Sequence, residues 1–315
     1  MEAKSSKNQI KRRDFLQRSA GFAASAILLP LLGNSAYSTA NYIIDSSSIP
    51  TVKLNNGLLM PTLGFGTYSL KDNICKRSVS EAISVGYRLF DTASRYGNEI
   101  FVGSGIKDSG IKRNELFITS KLWVDDSGYE KTKVAFETSL KKLDTDYLDL
   151  YLIHRPRGDF KGSWRMMEEL YKEGKIKAIG ISNFTPAQYD DLMLTAKIKP
   201  AINQIETHAF FQETDSYNYL KKNGVQMEAW APFAEGRNGL FTNETLAGIG
   251  KKYNKSNAQV SLRWHYQRGV VAIPRTVQRA HMIENLKIFD FKLSDAEMKA
   301  ISALDLNVSQ FPEWT

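Results

Sequence analysis

Eight short apolar runs recur along the chain, at 64–67, 88–91, 117–120, 148–153, 176–181, 201–205, 225–230 and 270–273. The runs at 88–91, 117–120 and 148–153 are rich in Leu, Ile, Phe and Tyr and lack a helical period, so they read as short buried strands, and the others are candidate strands beside them. The stretches between them, such as Cys75–Val85, Thr132–Leu143, Ser163–Lys172 and Asp215–Lys222, carry the helical period instead. Eight strand–helix units without a break in composition predict an α/β chain folded as a parallel (β/α)8 barrel. The 315 residues hold one such barrel, which takes about 250, and cannot hold two. Ahead of the first run, TVKLNNGLLMP sets Asn-Asn-Gly between apolar pairs, which predicts a β-hairpin capping the barrel bottom. Behind the last, residues 293–315 predict a helix over LSDAEMKAISAL and then an irregular end carrying Phe311 and Trp314.

Three of the runs end on an ionisable residue: Asp91 in LFDTASRYGNE, Lys121 in LFITSKLW and His154 in LDLYLIHRP. Tyr96 follows Asp91 by five residues. A charge at the end of a buried strand is costly unless it is paired or functional. Taken singly, a loop cap, a snorkelling lysine, a satisfied core histidine and a packing tyrosine would explain all four. Together, on successive strand ends, they point to one site. Their chemistry suits reduction of a carbonyl, whose oxygen gains negative charge and needs a proton. Free tyrosine, with a pKa of about 10, is a sluggish donor near neutrality. A neighbouring ammonium lowers that pKa, and a carboxylate makes the buried ammonium tolerable. Asp91, Lys121 and Tyr96 supply this relay, with His154 placed to hold the carbonyl oxygen.

From about Leu54 to Phe291 the chain resembles the aldo-keto reductases. DTASRYGNE, ITSKLW, LIHRP, AIGISNF, AINQIE and IPRT…ENL stand in that family's order and spacing. The resemblance implies a (β/α)8 barrel that reduces aldehydes and ketones with a nicotinamide cofactor, usually NADPH. It also implies that Asp91, Tyr96, Lys121 and His154 form the catalytic tetrad.

It implies a cofactor site as well. Ser182, Asn183 and Gln204, at the ends of the fifth and sixth runs, match the residues that hold the nicotinamide carboxamide. Thr67 matches a further cofactor position. Trp230 matches the aromatic that stacks on the nicotinamide, more often tyrosine in the family. Ala231, Phe233 and Glu235 match the strap over the pyrophosphate. Arg275 and Thr276 match a Lys-Ser pair that grips the adenosine 2′-phosphate, and the arginine keeps the charge. His281 stands where the family commonly has a second arginine. Imidazole is mostly neutral at pH 7, so NADPH is expected with NADH possible, and Arg279 is placed to compensate. Glu284 and Asn285 match adenine contacts. Tyr68, Trp123 and Phe211 are expected around the substrate. Arg155 replaces the tryptophan that usually follows the family's histidine, and a cation there favours carboxylate-bearing substrates.

The net charge of +8 is concentrated at the start, where six Lys/Arg precede residue 41 against two acids. No basic run interleaved with aromatics suggests nucleic acid. One cysteine, Cys75, excludes an internal disulfide, and four scattered histidines without a ligand spacing suggest no metal. The N-terminus reads as a leader. KRRDFLQ (Lys11–Gln17) is a twin-arginine pattern, GFAASAILLPLLG is short for a membrane span, and Ser38-Thr39-Ala40 suits cleavage after Ala40. The expected organisation is a signal peptide over 1–40, a flexible lead-in over 41–50 and the barrel over 51–315. A twin-arginine machinery would then export the chain to the periplasm, with no anchor after cleavage. Without cleavage it stays cytoplasmic or membrane-tethered. Two other readings of the barrel are a non-catalytic cofactor-binding sensor or partner protein, and an exported binding protein for a small sugar or aldehyde.

Overall fold

Gly64 and Gly66 let the first barrel strand meet the last. A Cβ on Gly66 would lie 2.7 Å from the carbonyl oxygen of Ile273. At this seam Gly64 N donates to Ala272 O at 2.9 Å, and Leu63 bridges Ala272 in parallel. The computed structural model describes residues 49–314. Within them eight parallel strands follow one another in chain order: β3 (Phe65–Gly66), β4 (Leu89–Asp91), β5 (Phe117–Leu122), β6 (Leu150–Ile153), β7 (Ile179–Ser182), β8 (Ile202–Glu206), β9 (Gln226–Trp230) and β10 (Val271–Ala272). Each expected strand is present, most of them a residue or more shorter. β5 instead runs past Lys121 to Leu122, so that lysine sits within the strand.

Helices cover the outside, and those expected begin one to three residues earlier than periodicity alone indicates. α1 runs over Asp72–Val85, α3 over Tyr129–Leu143, α4 over Phe160–Lys172 and α6 over Thr214–Lys222. At α4 the reason is the cap: Asp159 accepts from Gly162 N at 2.7 Å, which fixes the start before any apolar residue is counted. The tail helix spans Asp295–Ser302 and is closed by a Ser294–Glu297 capping box. Cys75 is buried on α1 in the helix–sheet core. Burial pushes its thiol up to about 12.

The predicted hairpin forms from β1 (Thr51–Lys53) and β2 (Leu59–Pro61). Its turn reaches the barrel bottom, where Asn55 Nδ2 donates to Pro200 O and Asn56 Nδ2 to Lys177 O, both at 2.8 Å. Leu54 and Met60 join Leu89, Phe117, Leu150 and Ile202 in an apolar plug inside that end. The leader expected over 1–40 and the lead-in up to residue 48 lie outside the described residues.

The strand period then builds the site. Side chains two apart on a strand share a face. Two residues above apolar Leu89, Leu152 and Ile202 stand Asp91, His154 and Gln204, and four above Phe117 stands Lys121. The barrel interior is therefore hydrocarbon below and polar at the C-terminal ends of the strands, the face where barrels of this kind carry their sites.

Candidate active site

The four residues expected to form the tetrad converge. Lys121 Nζ lies 2.5 Å from Asp91 Oδ1, 3.2 Å from Tyr96 Oη and 3.0 Å from the carbonyl of Thr92. Lys121 is wholly buried and Asp91 nearly so. Burial alone pulls the lysine pKa down, but Asp91 and Tyr96 more than reverse this and the net shift is upward. Tyr96 behaves otherwise than the sequence suggests. The ammonium does lower it, yet burial outweighs that pull and the net shift is upward. The phenol is therefore protonated at neutral pH, the form a proton donor requires.

His154 follows β6, its backbone N–H bonded to Leu122 O at 3.0 Å. Its ring packs edge-on to Tyr96 and Trp123, at centroid distances of 5.8 and 5.1 Å. Burial, then Lys121 and Arg155, hold its pKa well below the usual imidazole value, so it is neutral. Nδ1 is buried without a partner.

Asn98, which the sequence did not single out, braces the Tyr96 loop. It accepts from Thr92 Oγ1 at 2.8 Å and donates to the carbonyls of Thr67 and Leu70. The Thr67 hydroxyl is committed to Asp91 O at 2.9 Å, so Thr67 supports the site from behind and does not line the cavity.

A cavity opens above Asp91, Tyr96 and His154, with Ser182, Asn183 and Gln204 on its wall. Asn183, in the left-handed region at φ 62°, donates to His154 O at 3.0 Å and accepts from Trp230 Nε1 at 2.8 Å. Ser182 Oγ donates to Gln204 O at 2.8 Å. Beside Trp230 the wall continues through Ala231, Phe233 and Glu235, and Arg275 also lines it. A primary carboxamide needs acceptors for two N–H groups and a donor for its oxygen. Amide and hydroxyl groups at two adjacent strand ends, beside a flat indole from the next, fit a nicotinamide.

The remaining expected cofactor residues lie off this cavity. Thr276 Oγ1 accepts from Gln278 N at 3.1 Å. His281 is exposed on α9 (Arg279–Leu286). Glu284 accepts from Ser256 Oγ, and Asn285 is buried against Tyr87. Arg279, expected to compensate for His281, bonds Ser84 Oγ at 2.7 Å.

Of the expected substrate residues, Tyr68 and Arg155 line the cavity. Trp123 touches His154 from outside it, beneath Arg95. Phe211 lines an adjoining groove that also reaches Arg155 and Trp230. The tail supplies two cavity residues that sequence reasoning did not assign, Phe311 and Trp314. Phe311 packs 5.2 Å from Trp230, and Trp314 packs 4.9 Å from Tyr68. Arg155 donates to the carbonyl of Trp314, and the Arg237–Glu313 ion pair at 2.5 Å ties the tail to the loop after β9. Two aromatics close to the terminus were the available signal.

Comparisons with known proteins agree with this geometry. A model of the aldo/keto reductase family matches residues 62–306. The chain is 51% identical over 257 residues to a glyoxal reductase of Bacillus subtilis (strain 168), covering 81% of this chain and 92% of the relative. It is 39% identical over 260 residues to the methylglyoxal reductase DkgA of Escherichia coli (strain K12), covering 81% and 94%. Among solved structures, an aldo/keto reductase from Brucella melitensis superposes with a TM-score of 0.79 at 44% identity, covering 82% of this chain and all of the other. An aldo-keto reductase of Bombyx mori in complex with NADP gives a TM-score of 0.79 at 32% identity, covering 83% and 94%.

Proposed function

The chain belongs to the aldo/keto reductase family, and from that premise we propose that it is an NADP(H)-dependent reductase of small aldehydes and ketones, Tyr96 being the proton donor. The observation that carries this reading is the position of Lys121 Nζ between Asp91 and the Tyr96 hydroxyl, at 2.5 and 3.2 Å, at the floor of the cavity. NADPH, when bound, supplies the hydride. Tyr96 delivers the proton to the developing alkoxide, and Lys121 stabilises the phenolate left behind. Asp91 keeps Lys121 charged. Neutral His154 donates a hydrogen bond to the carbonyl oxygen. Ser182, Asn183 and Gln204 orient the nicotinamide amide, with Trp230 against its ring. Arg275 and Thr276 hold the 2′-phosphate, with His281 where a second cation would help, Glu284 and Asn285 at the adenine, and Thr67 supporting from behind. Ala231, Phe233 and Glu235 line the pyrophosphate strap.

Relatives that act on glyoxal and methylglyoxal suggest small 2-oxoaldehydes as the first substrates to examine. Tyr68, Arg155, Trp123 and Phe211 are the proposed surroundings of that substrate. A non-catalytic sensor would have no need of a lysine buried against both a carboxylate and a tyrosine hydroxyl, so the enzyme is preferred. Residues 1–40 support a further proposal, that the chain is exported through a twin-arginine route and cleaved after Ala40, leaving 41–50 as a lead-in to the barrel. Following NADPH consumption by the purified protein with a panel of aldehydes, glyoxal and methylglyoxal included, tests the activity. NADPH binding without turnover on any carbonyl would favour the sensor.

A further inference from the structure

Glu228 has no role in the reaction as described, yet it lies at the centre of the polar layer. It stands opposite Gln204 on β8 and Val271 on β10, and none of its surface is exposed. Gln204 Nε2 donates to Asp91 Oδ2 at 2.8 Å and to Glu228 Oε2 at 2.9 Å. The other oxygen, Glu228 Oε1, is buried without a partner. An ionised carboxylate left half-unpaired away from water is strongly disfavoured.

The charges that face Glu228 are two, Asp91 from β4 and Lys121 from β5. The neighbours in register on β8 and β10 are a neutral amide and a valine. Lys121 is the single ammonium here, and it contacts Asp91 directly. With one ammonium between them, two carboxyl groups bridged by one amide ionise together only at a cost, which raises the pKa of the less well paired one. Burial, then the charge of Asp91, push Glu228 up to about 8, against weaker pulls from Gln204 and Lys121. Near neutrality Glu228 therefore stays protonated, while Asp91 keeps its direct contact with Lys121.

We propose that Glu228 is a positioning residue of the reductase, holding the Gln204 amide in place as a neutral acid and weakening the site when it ionises. This rests on the reading that Gln204 orients the nicotinamide carboxamide. With both N–H groups committed to carboxyl oxygens, Gln204 offers the cavity only its carbonyl oxygen, the acceptor a carboxamide N–H requires. A second negative charge behind Asp91 would also bind the Lys121 proton more tightly and make Tyr96 a weaker acid. This second effect slows reduction as pH rises, while Gln204 keeps both of its acceptors.

The test is the single-turnover rate of methylglyoxal reduction by the full chain with NADPH between about pH 7 and about pH 9.5, with NADPH affinity followed by fluorescence in the same samples. The wild type is expected to lose rate by up to about tenfold per pH unit above the ionisation of Glu228, with NADPH affinity kept within a few-fold because Gln204 retains both acceptors. Glu228→Gln is a neutral isostere that removes the ionisation, and its alkaline limb should move at least about one unit higher, toward that of Tyr96. A purely structural role would change rates but leave the limb where it was, so an unmoved limb overturns the inference alone. Absence of NADPH binding and turnover at every pH overturns the reductase reading and this inference with it. Should Glu228→Gln not fold, infrared spectra of the wild type decide the matter. A protonated-acid band present near pH 7 and lost by about pH 9 upholds the inference, and its absence near pH 7 overturns it.

Discussion

Lys121 and Asp91 meet at 2.5 Å inside the barrel, with both side chains sealed from water. Breaking such a pair strands a charge. Asp91→Ala is therefore expected to cost stability, about 3–5 kcal/mol, whereas Tyr96→Phe costs little. Tyr96→Phe should instead lower kcat by at least about 10²-fold and leave NADPH affinity within a few-fold. Urea unfolding set beside steady-state kinetics separates the two effects. Near-wild-type turnover in Tyr96→Phe would remove it as the proton donor.

Acid should unfold the protein early. His154 and His265 are both buried, and burial holds both pKa values well below the ordinary imidazole value. The unfolded chain therefore binds protons that the native state refuses. Stability is full above the unfolded pKa of about 6.5 and falls by roughly 1 to 2 kcal/mol per imidazole for each pH unit below it. Thermal unfolding measured from about pH 7.5 to about pH 5 should show this slope, and His265→Gln should reduce it.

Arg155 bears on substrate choice. The guanidinium lines the cavity with Tyr96 and His154, and no ion pair joins it to an acidic side chain among the described residues. The ratio of kcat/KM for a 2-oxo acid to that for methylglyoxal should fall about tenfold or more in Arg155→Leu, the usual worth of a charge-assisted hydrogen bond. Loss of a tether on the Trp314 carbonyl alone would lower both substrates equally and leave the ratio unchanged.

Cofactor preference is expected to be narrow, since Arg275 supplies a cation for the 2′-phosphate and His281 stands where a second would help. His281→Arg should widen the preference for NADPH over NADH. Kinetics with both cofactors at fixed pH check this, and an unaltered ratio removes His281 from the 2′-phosphate site.

Fractionation of the source cells and N-terminal sequencing of the mature protein test export. A chain beginning at Asn41 outside the cytoplasm is the expected outcome. One beginning near Met1 inside it would end the proposal.

The strands were legible because each is a short apolar run, and the tetrad because ionisable groups close such runs. Helix starts were misjudged because capping residues such as Asp159 are polar and carry no period. Phe311 and Trp314 were visible as an aromatic tail, but their place over the cavity depends on long-range ties to Arg155 and Arg237. Glu228 passed unnoticed in QMEAW because only the register of β9 against β8 turns it toward Gln204. The upward net shift of Tyr96 depends on how deeply its hydroxyl is sunk, a three-dimensional quantity that spacing does not encode.

Small 2-oxoaldehydes are electrophiles that cap thiolates, and an enzyme handling them risks poisoning itself turnover by turnover. The chain's one sulfhydryl is walled into the helix–sheet core, with its ionisation pushed up to about 12. The reactive thiolate is thus scarce and out of reach at any physiological pH. Placing Cys75 there keeps the chain's one thiol away from any such electrophile, a form of durability that does not depend on how fast the protein works.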